Sequence, residues 1–190
     1  MAMSEADVER ARAARLSEDD VVGVLLDQHA RIRDLFAEVR TGTGEDKRQA
    51  FDELRALLAV HETAEEMVVR PVTKKVDKSV AAARNEEEDK AGRVLRELGK
   101  MDLDSAEFAR KLTDLERSVS AHAEHEESEE FPRVRAARDE HQLEGMGRKL
   151  HAAEKVAPTH PHPSTAGSPA AQWTVGPVVS AVDRARDAMR

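Results

Sequence analysis

The chain has 190 residues, a formal net charge of −8 and no cysteine. The acidic balance, with no concentrated basic patch, argues against nucleic acid or an anionic membrane as partner, and the lack of cysteine excludes disulfides, iron–sulfur clusters and thiolate zinc sites. With 36% charged and 3% aromatic residues, and abundant Ala, Glu, Arg and Leu, the composition points to an all-α protein. No apolar run approaches the roughly 20 residues that span a bilayer. The opening stretch MAMSEADVERARAARL lacks the apolar core of a signal peptide, so a cytoplasmic location is expected.

In chain order, residues 1–17 form a leader segment, with a short charged helix expected over 4–16. Ser17 followed by Glu18, Asp19 and Asp20 predicts a helix start, a hydroxyl cap with acids in the positive first turn. The first long helix runs from about 18 to 40 and stops at Thr41–Gly44; the second runs from about 45 to 70 and stops at Pro71. A third, about 74–100, ends near Gly99. Asp104 and Ser105 open a fourth, which stops at Pro132. Four long helices with short connections predict an up-down-up-down four-helix bundle. A fifth helix over about 133–156 would complete a bundle domain spanning 18–156. Residues 157–177 then hold five of the seven prolines and the only tryptophan, Trp173. That stretch cannot be helical. Residues 178–189 look like a short terminal helix. The tail, 157–190, is expected to wrap the bundle with Trp173 as anchor; a disordered tail is the competing reading.

The most informative pattern occurs twice, 61 residues apart: HETAEEMVVRP from His61 to Pro71, and HAEHEESEEFP from His122 to Pro132. His61 matches His122, Glu65 matches Glu126, Glu66 matches Glu127 and Pro71 matches Pro132. Phe51, Leu54, Leu58, His61 and Glu65 are spaced 3, 4, 3, 4, and so are Leu112, Leu115, Val119, His122 and Glu126. Each set therefore lies on one stripe of a helix, the stripe that faces the core in a bundle. A core stripe that turns into His and carboxylate needs a partner for the buried charge. Neither stripe carries a Lys or Arg, so a metal ion is the expected partner.

The first helix repeats the stripe with Val22, Leu25, His29, Ile32 and Phe36, and the third offers Glu88, Ala91, Leu95 and Leu98. Together the helices would bring His29, His61, Glu65, Glu88, His122 and Glu126 into one buried layer. Imidazole and carboxylate donors suit iron, manganese or zinc. Two octahedral ions offer about twelve positions, and six protein ligands fill about eight if Glu65 and Glu126 bridge. An oxo or hydroxo bridge and open positions for a small molecule would supply the rest. The register of the third helix is less secure. Glu87, Ala91, Val94 and Leu98 make an almost equal stripe, which leaves Glu87 as the alternative to Glu88.

An isolated His, two His-x3-Glu motifs each followed by Glu and a Pro, and a ligand on the intervening helix resemble the hemerythrin-like HHE cation-binding family over about residues 18–132. The PTHPHP segment, Pro158 to Pro163, is similar to the C-terminal extension of some actinobacterial members. The resemblance implies a non-haem di-iron centre in a four-helix bundle. In it His29, His61 and His122 would be terminal ligands, and Glu65 and Glu126 would bridge. The departure is on the third helix, where the family usually has His, often with another one turn later. Here those positions are Glu88 and Gly92. A histidine-rich site favours reversible O2 binding in the family. Carboxylate in place of imidazole should stabilise the ferric state, so peroxide turnover of a catalase-like kind is the expected function.

The expected partners are O2, H2O2 or NO. An alternative from a different class is a non-enzymatic iron, oxygen or nitric oxide sensor or an O2-binding protein; a third is a bundle holding zinc or no metal. A single His-x3-Glu pair is often only a surface interaction, and the run Asn85–Lys90 containing Glu87 and Glu88 also reads as a solvated face. Glu66 and Glu127 are read as supporting or surface groups, and His125 as a surface residue. No Gly-rich phosphate loop or GxSxG motif is present, so nucleotide chemistry and acyl transfer have no support.

Overall fold

Four long helices build the bundle: α2 (Val21–Thr41), α3 (Gly44–Val68), α5 (Lys78–Leu98) and α6 (Ala106–His125). The structure is a computed structural model that describes residues 3–155. Within it α2 packs on α3 and α6, and α5 packs on α6 and α3, which closes the four into a bundle. The remaining elements are α1 (Glu5–Ala13), α4 (Arg70–Val76), a π-helical segment (Glu126–Glu130), α7 (Phe131–Ala137) and α8 (Glu140–Glu154). The described residues contain no strand. None of their helices is long and apolar enough to cross a membrane. The expected Pro-rich tail, the anchoring role of Trp173 and the terminal helix lie outside the described residues.

The stripes face inward. Val22, Leu25, Ile32, Phe36, Phe51, Leu54, Leu58, Leu95, Leu98, Leu112 and Leu115 are all buried, and Val119 and Ala91 pack against them. The apolar interior falls into two clusters. One, around Ile32, Phe36, Leu54, Leu98, Phe108 and Leu115, fills one end of the bundle. The other, around Leu25, Leu26, Val68, Phe131, Leu143 and Leu150, lies where α7 and α8 join it. Buried His and Glu residues lie between the two along the stripes: His29 between Leu25 and Ile32, and His61 and Glu65 after Leu58.

Several boundaries differ from the sequence expectation. The cap of α2 is Asp20 rather than Ser17. The Asp20 carboxylate accepts from the Val22 N–H at 2.9 Å and from Arg135 at 2.9 Å, and this second, tertiary partner decides between the candidates. Helical conformation resumes directly at Pro71 and Pro132 after the preceding helices end. Each sits in the first turn of a new one, α4 and α7, where its missing N–H costs nothing. The helix expected from about 74 starts at Lys78, because the Asp77 side chain caps the Ser79 and Val80 N–H groups. Ser105 caps α6 as its position suggested. The expected fifth helix is two, α7 and α8, with Asp139 and Gln142 forming a capping box at the second start.

The appended helices dock on the bundle: α1 on α2, and α8 on α2 and α3. Helix α8 approaches very closely at Gly147, where an added Cβ would lie 1.8 Å from the Asp19 carbonyl oxygen. Substituting Gly147→Ala must therefore push α8 away from the start of α2. The expected result is a loss of about 1–3 kcal/mol, read as a lowered urea midpoint with an unchanged far-UV spectrum.

Candidate metal centre

Helices α2, α3, α5 and the α6/π-helix junction each deliver side chains to one layer. His29, His61, Glu65, Glu88 and Glu126 are buried, and the His122 side chain is 11% exposed. His29 Nε2 lies 3.3 Å from Glu126, His61 Nε2 lies 3.4 Å from Glu65, and His122 Nε2 lies 3.1 Å from Glu126. All six residues expected from the sequence are thus brought together. Glu88 rather than Glu87 faces the layer. Glu87 stands outside it, 2.8 Å from His122 Nδ1 and 3.0 Å from His125 Nδ1.

Each imidazole is held from behind. His61 Nδ1 lies 2.6 Å from Gln28 Oε1, and the Gln28 amide N–H donates in turn to Glu154 of α8, which sets which way the amide points. His29 Nδ1 faces Glu127 at 3.2 Å, and Glu127 also accepts from Arg12 of α1. With Gln28 oxygen, Glu127 and Glu87 as acceptors, all three rings donate through Nδ1 and present Nε2 to the layer. That is how ligating histidines are oriented by their outer partners. Phe131 stacks on the other side of His29, with centroids 5.8 Å apart and planes 14° from parallel. A further acidic group, Glu9 with Glu127, lies on the outer side of His29. There Arg33 neutralises Glu9 at 2.8 Å.

Neither stripe carries a Lys or Arg, yet a basic side chain reaches the layer from off the stripes, so a metal ion is not the layer's sole source of positive charge. Arg70 is buried and pairs with Glu88 and Glu130, and its Nη2 lies 3.3 Å from Glu126 and 4.0 Å from Glu65. On a continuous helix, residue 70 would point about 140° away from Glu65. The break between Val68 and Arg70, forced by Pro71, turns it inward. Glu130 is equally unforeseen. It lies four residues after Glu126, so the two share a face, and both are buried in the π-helical turn in which the Phe131 N–H donates to the Glu126 carbonyl.

The charges are strongly coupled. Burial pushes the Glu65 carboxyl well above the carboxylate range, with the Glu126 charge adding to it. Burial also pushes Glu88 up to about 8, against the pull of Arg70. For Glu126, burial is outweighed by His122, His29 and Arg70, and its carboxyl sits well below the usual range. Burial opposes protonation of His122 and His29, but Glu126 and the outer carboxylates raise both. Burial and His29 depress His61 to about 3. Without metal, the layer therefore favours the protonated forms of Glu65, Glu88, His29 and His122, and Glu88, at about 8, keeps its proton at neutral pH.

The donor atoms fit metal. His29 Nε2, His122 Nε2, both Glu65 oxygens, Glu88 Oε2 and Glu126 Oε2 are buried without a hydrogen-bond partner, a concentration of unsatisfied groups that calls for a ligand. They fall into two overlapping groups, His29, His61, Glu65 and Glu126, and Glu65, Glu88, His122 and Glu126; within each, the ligand atoms lie within 4.8 Å of one another. Glu65 and Glu126 belong to both. A cavity opens beside the layer, lined by His29, His61, His122, Ile32, Phe36 and Leu58. It offers about 20 Å³ to the centre of a water-sized molecule, room for one or two waters or a diatomic.

A pH dependence follows from the retained protons. Between pH 6.5 and 8 the folded metal-free protein holds on Glu88, at about 8, a proton that an unfolded glutamate has lost, and the upward shifts of Glu65, His29 and His122 act in the same direction. The native state then binds more protons, so stability falls as pH rises. Glu88 alone accounts for on the order of 2 kcal/mol over that window. Urea midpoints of chelator-treated protein should decline from pH 6.5 to 8; a flat or rising profile would contradict this charge assignment.

Comparison with known proteins agrees with this architecture. Residues 20–134 match the family described as hemerythrin HHE cation binding domain. A search of curated proteins finds no match. A crystal structure described as a hemerythrin HHE cation binding domain-containing protein, the Rv2633c homolog from Mycobacterium kansasii, superposes with a TM-score of 0.64. The alignment covers 84% of this chain and 96% of that one at 21% identity, a likeness of fold. With the family match spanning well over half of the chain and a His/Glu layer at the centre of its bundle, the protein belongs to the hemerythrin HHE cation binding domain family.

Proposed function

We propose that the layer holds two iron ions, with manganese or zinc as competing occupants, and that the protein turns over peroxide. One position would use His29, His61, Glu65 and Glu126, and the other Glu65, Glu88, His122 and Glu126, with Glu65 and Glu126 shared. The observation that carries the reading is the set of buried donor atoms without a hydrogen-bond partner in two overlapping groups. Bound iron would supply a redox-active Lewis acid at the cavity.

The residues around it supply the rest. Ile32, Phe36 and Leu58 line the cavity with apolar surface, which suits small, weakly polar molecules and excludes larger ones. Glu62, the neighbour of His61 in the chain, lines the same cavity. Burial pushes its carboxyl well above the carboxylate range, with the Glu88 charge adding to it. Its protonated form is favoured there, next to the space a small oxidant would occupy. Gln28, Glu127 and Glu87 keep the imidazole lone pairs aimed inward. Glu88 in place of imidazole adds negative charge to the site, which favours the oxidised metal and supports peroxide turnover over reversible O2 binding.

A second reading, an iron, oxygen or nitric oxide sensor, has its own support. The bonds behind His29 and His61 run to Arg12 of α1 and Glu154 of α8, so metal loading would bear on both appended helices.

Elemental analysis of protein expressed with iron and purified without chelator should give about two irons per chain, and replacing the shared Glu126 by Ala should remove most of that metal. The iron-loaded protein should consume peroxide. No peroxide consumption and no spectral change on adding peroxide would end the peroxide reading. Iron-dependent protection of α1 or α8 from proteolysis, without turnover, would favour the sensor.

A further inference from the structure

We infer that Arg70 is a tethered cation that competes for one of the two metal positions, so that the positions fill unequally. This rests on the metal reading above and adds an order of filling to it. Arg70 Nη2 pairs with Glu88 and lies 3.3 Å from Glu126 and 4.0 Å from Glu65. These are the three carboxylates that, with His122, make the second donor group. The first group differs in holding two imidazoles, His29 and His61, which attract a metal ion and offer nothing to a guanidinium.

Arg70 is 4% exposed and opens a short helix whose second residue is Pro71. It has one other anchor. Its Nη1 pairs with Glu130, which also accepts from the Thr73 hydroxyl and belongs to neither donor group. A first ion therefore enters beside His29 and His61 with Arg70 still on Glu88. A second, beside His122, requires Arg70 to give up Glu88 and fall back on Glu130. The chain thus carries a charge that holds the second position together while it is metal-free and weakens that position for metal.

The test is an anaerobic titration of the full metal-free chain with Fe(II), followed calorimetrically and by a competing chelator, with folding checked by circular dichroism. The native chain should bind in two steps, the second about tenfold or more weaker. Arg70→Met should tighten the second step by roughly 10–100-fold, the scale on which groups outside a ligand set act on metal affinity, and leave the first step little changed. Glu130→Gln, which keeps the Thr73 contact but removes the fallback charge, should weaken the second step. If Arg70→Met does not fold, Glu130→Gln alone decides by its sign. Two equal steps in the native chain, or a second step that Arg70→Met leaves unchanged or weakens, would overturn the inference while leaving the metal centre intact. Absence of any Fe(II) binding by the native chain would overturn the metal reading and this inference together.

Discussion

Four carboxylates, Glu65, Glu88, Glu126 and Glu130, are buried within reach of one guanidinium, and the rest of the structure is arranged around that excess of negative charge. A carboxylate taken out of water must be neutralised by a proton, a basic side chain or a metal. This layer uses the first two when metal-free and has donor geometry for the third. The outward bonds of His29, His61 and His122, the inward turn of Arg70 and the π-helical segment at Glu126 all serve the same electrostatic requirement. Each determines which atom faces the layer and which is spent elsewhere.

The doubled motif builds the layer from two halves that are similar but not equivalent. Both halves carry the His-x3-Glu pair and break at a proline six residues after the Glu. The position before each proline differs. Phe131 stacks on His29 in the second half, whereas Arg70 enters the carboxylate cluster in the first. One half thus contributes apolar support to an imidazole and the other contributes positive charge. The duplication supplies the ligand pattern, and this one position makes the two sides of the centre chemically unlike.

Much of the fold and of the candidate site was legible in the sequence because helical periodicity is strict where the core is packed. Phe51, Leu54 and Leu58 announce that the same face reaches His61 and Glu65, and burial of all five follows from a single continuous helix. On α5, Ala91 and Leu98 fit a stripe with Glu88 and Leu95 or one with Glu87 and Val94, and the two candidate ligands differ by about 100° of rotation. Packing against α6 resolves it by setting Glu87 against His122 Nδ1. Arg70 was not legible for a physical reason. A helical wheel assumes an unbroken helix, and Arg70 lies where a proline resets the register; Glu130, four residues after Glu126, shares its face on a simple wheel and escapes notice because it lies beyond the doubled His-x3-Glu pair. The fifth helix is parted by extended backbone at Arg138, and the local signal for it, the Asp139–Gln142 capping box, is present in the sequence but absent from the single-helix expectation. The choice of Asp20 over Ser17 depended on Arg135, a contact 115 residues distant in the chain.

The polar layer also divides the apolar interior into two compartments, one under α7 and α8 and one at the opposite end of the bundle. Cooperative unfolding depends on apolar contacts that run through a domain without interruption. Here the helices continue across the layer, but the side-chain packing between the two ends passes through ionic and protonated groups. The charge state of the layer therefore governs how firmly one end of the bundle senses the melting of the other. A neutralised layer joins the compartments into one cooperative unit, and a frustrated one lets them behave as two.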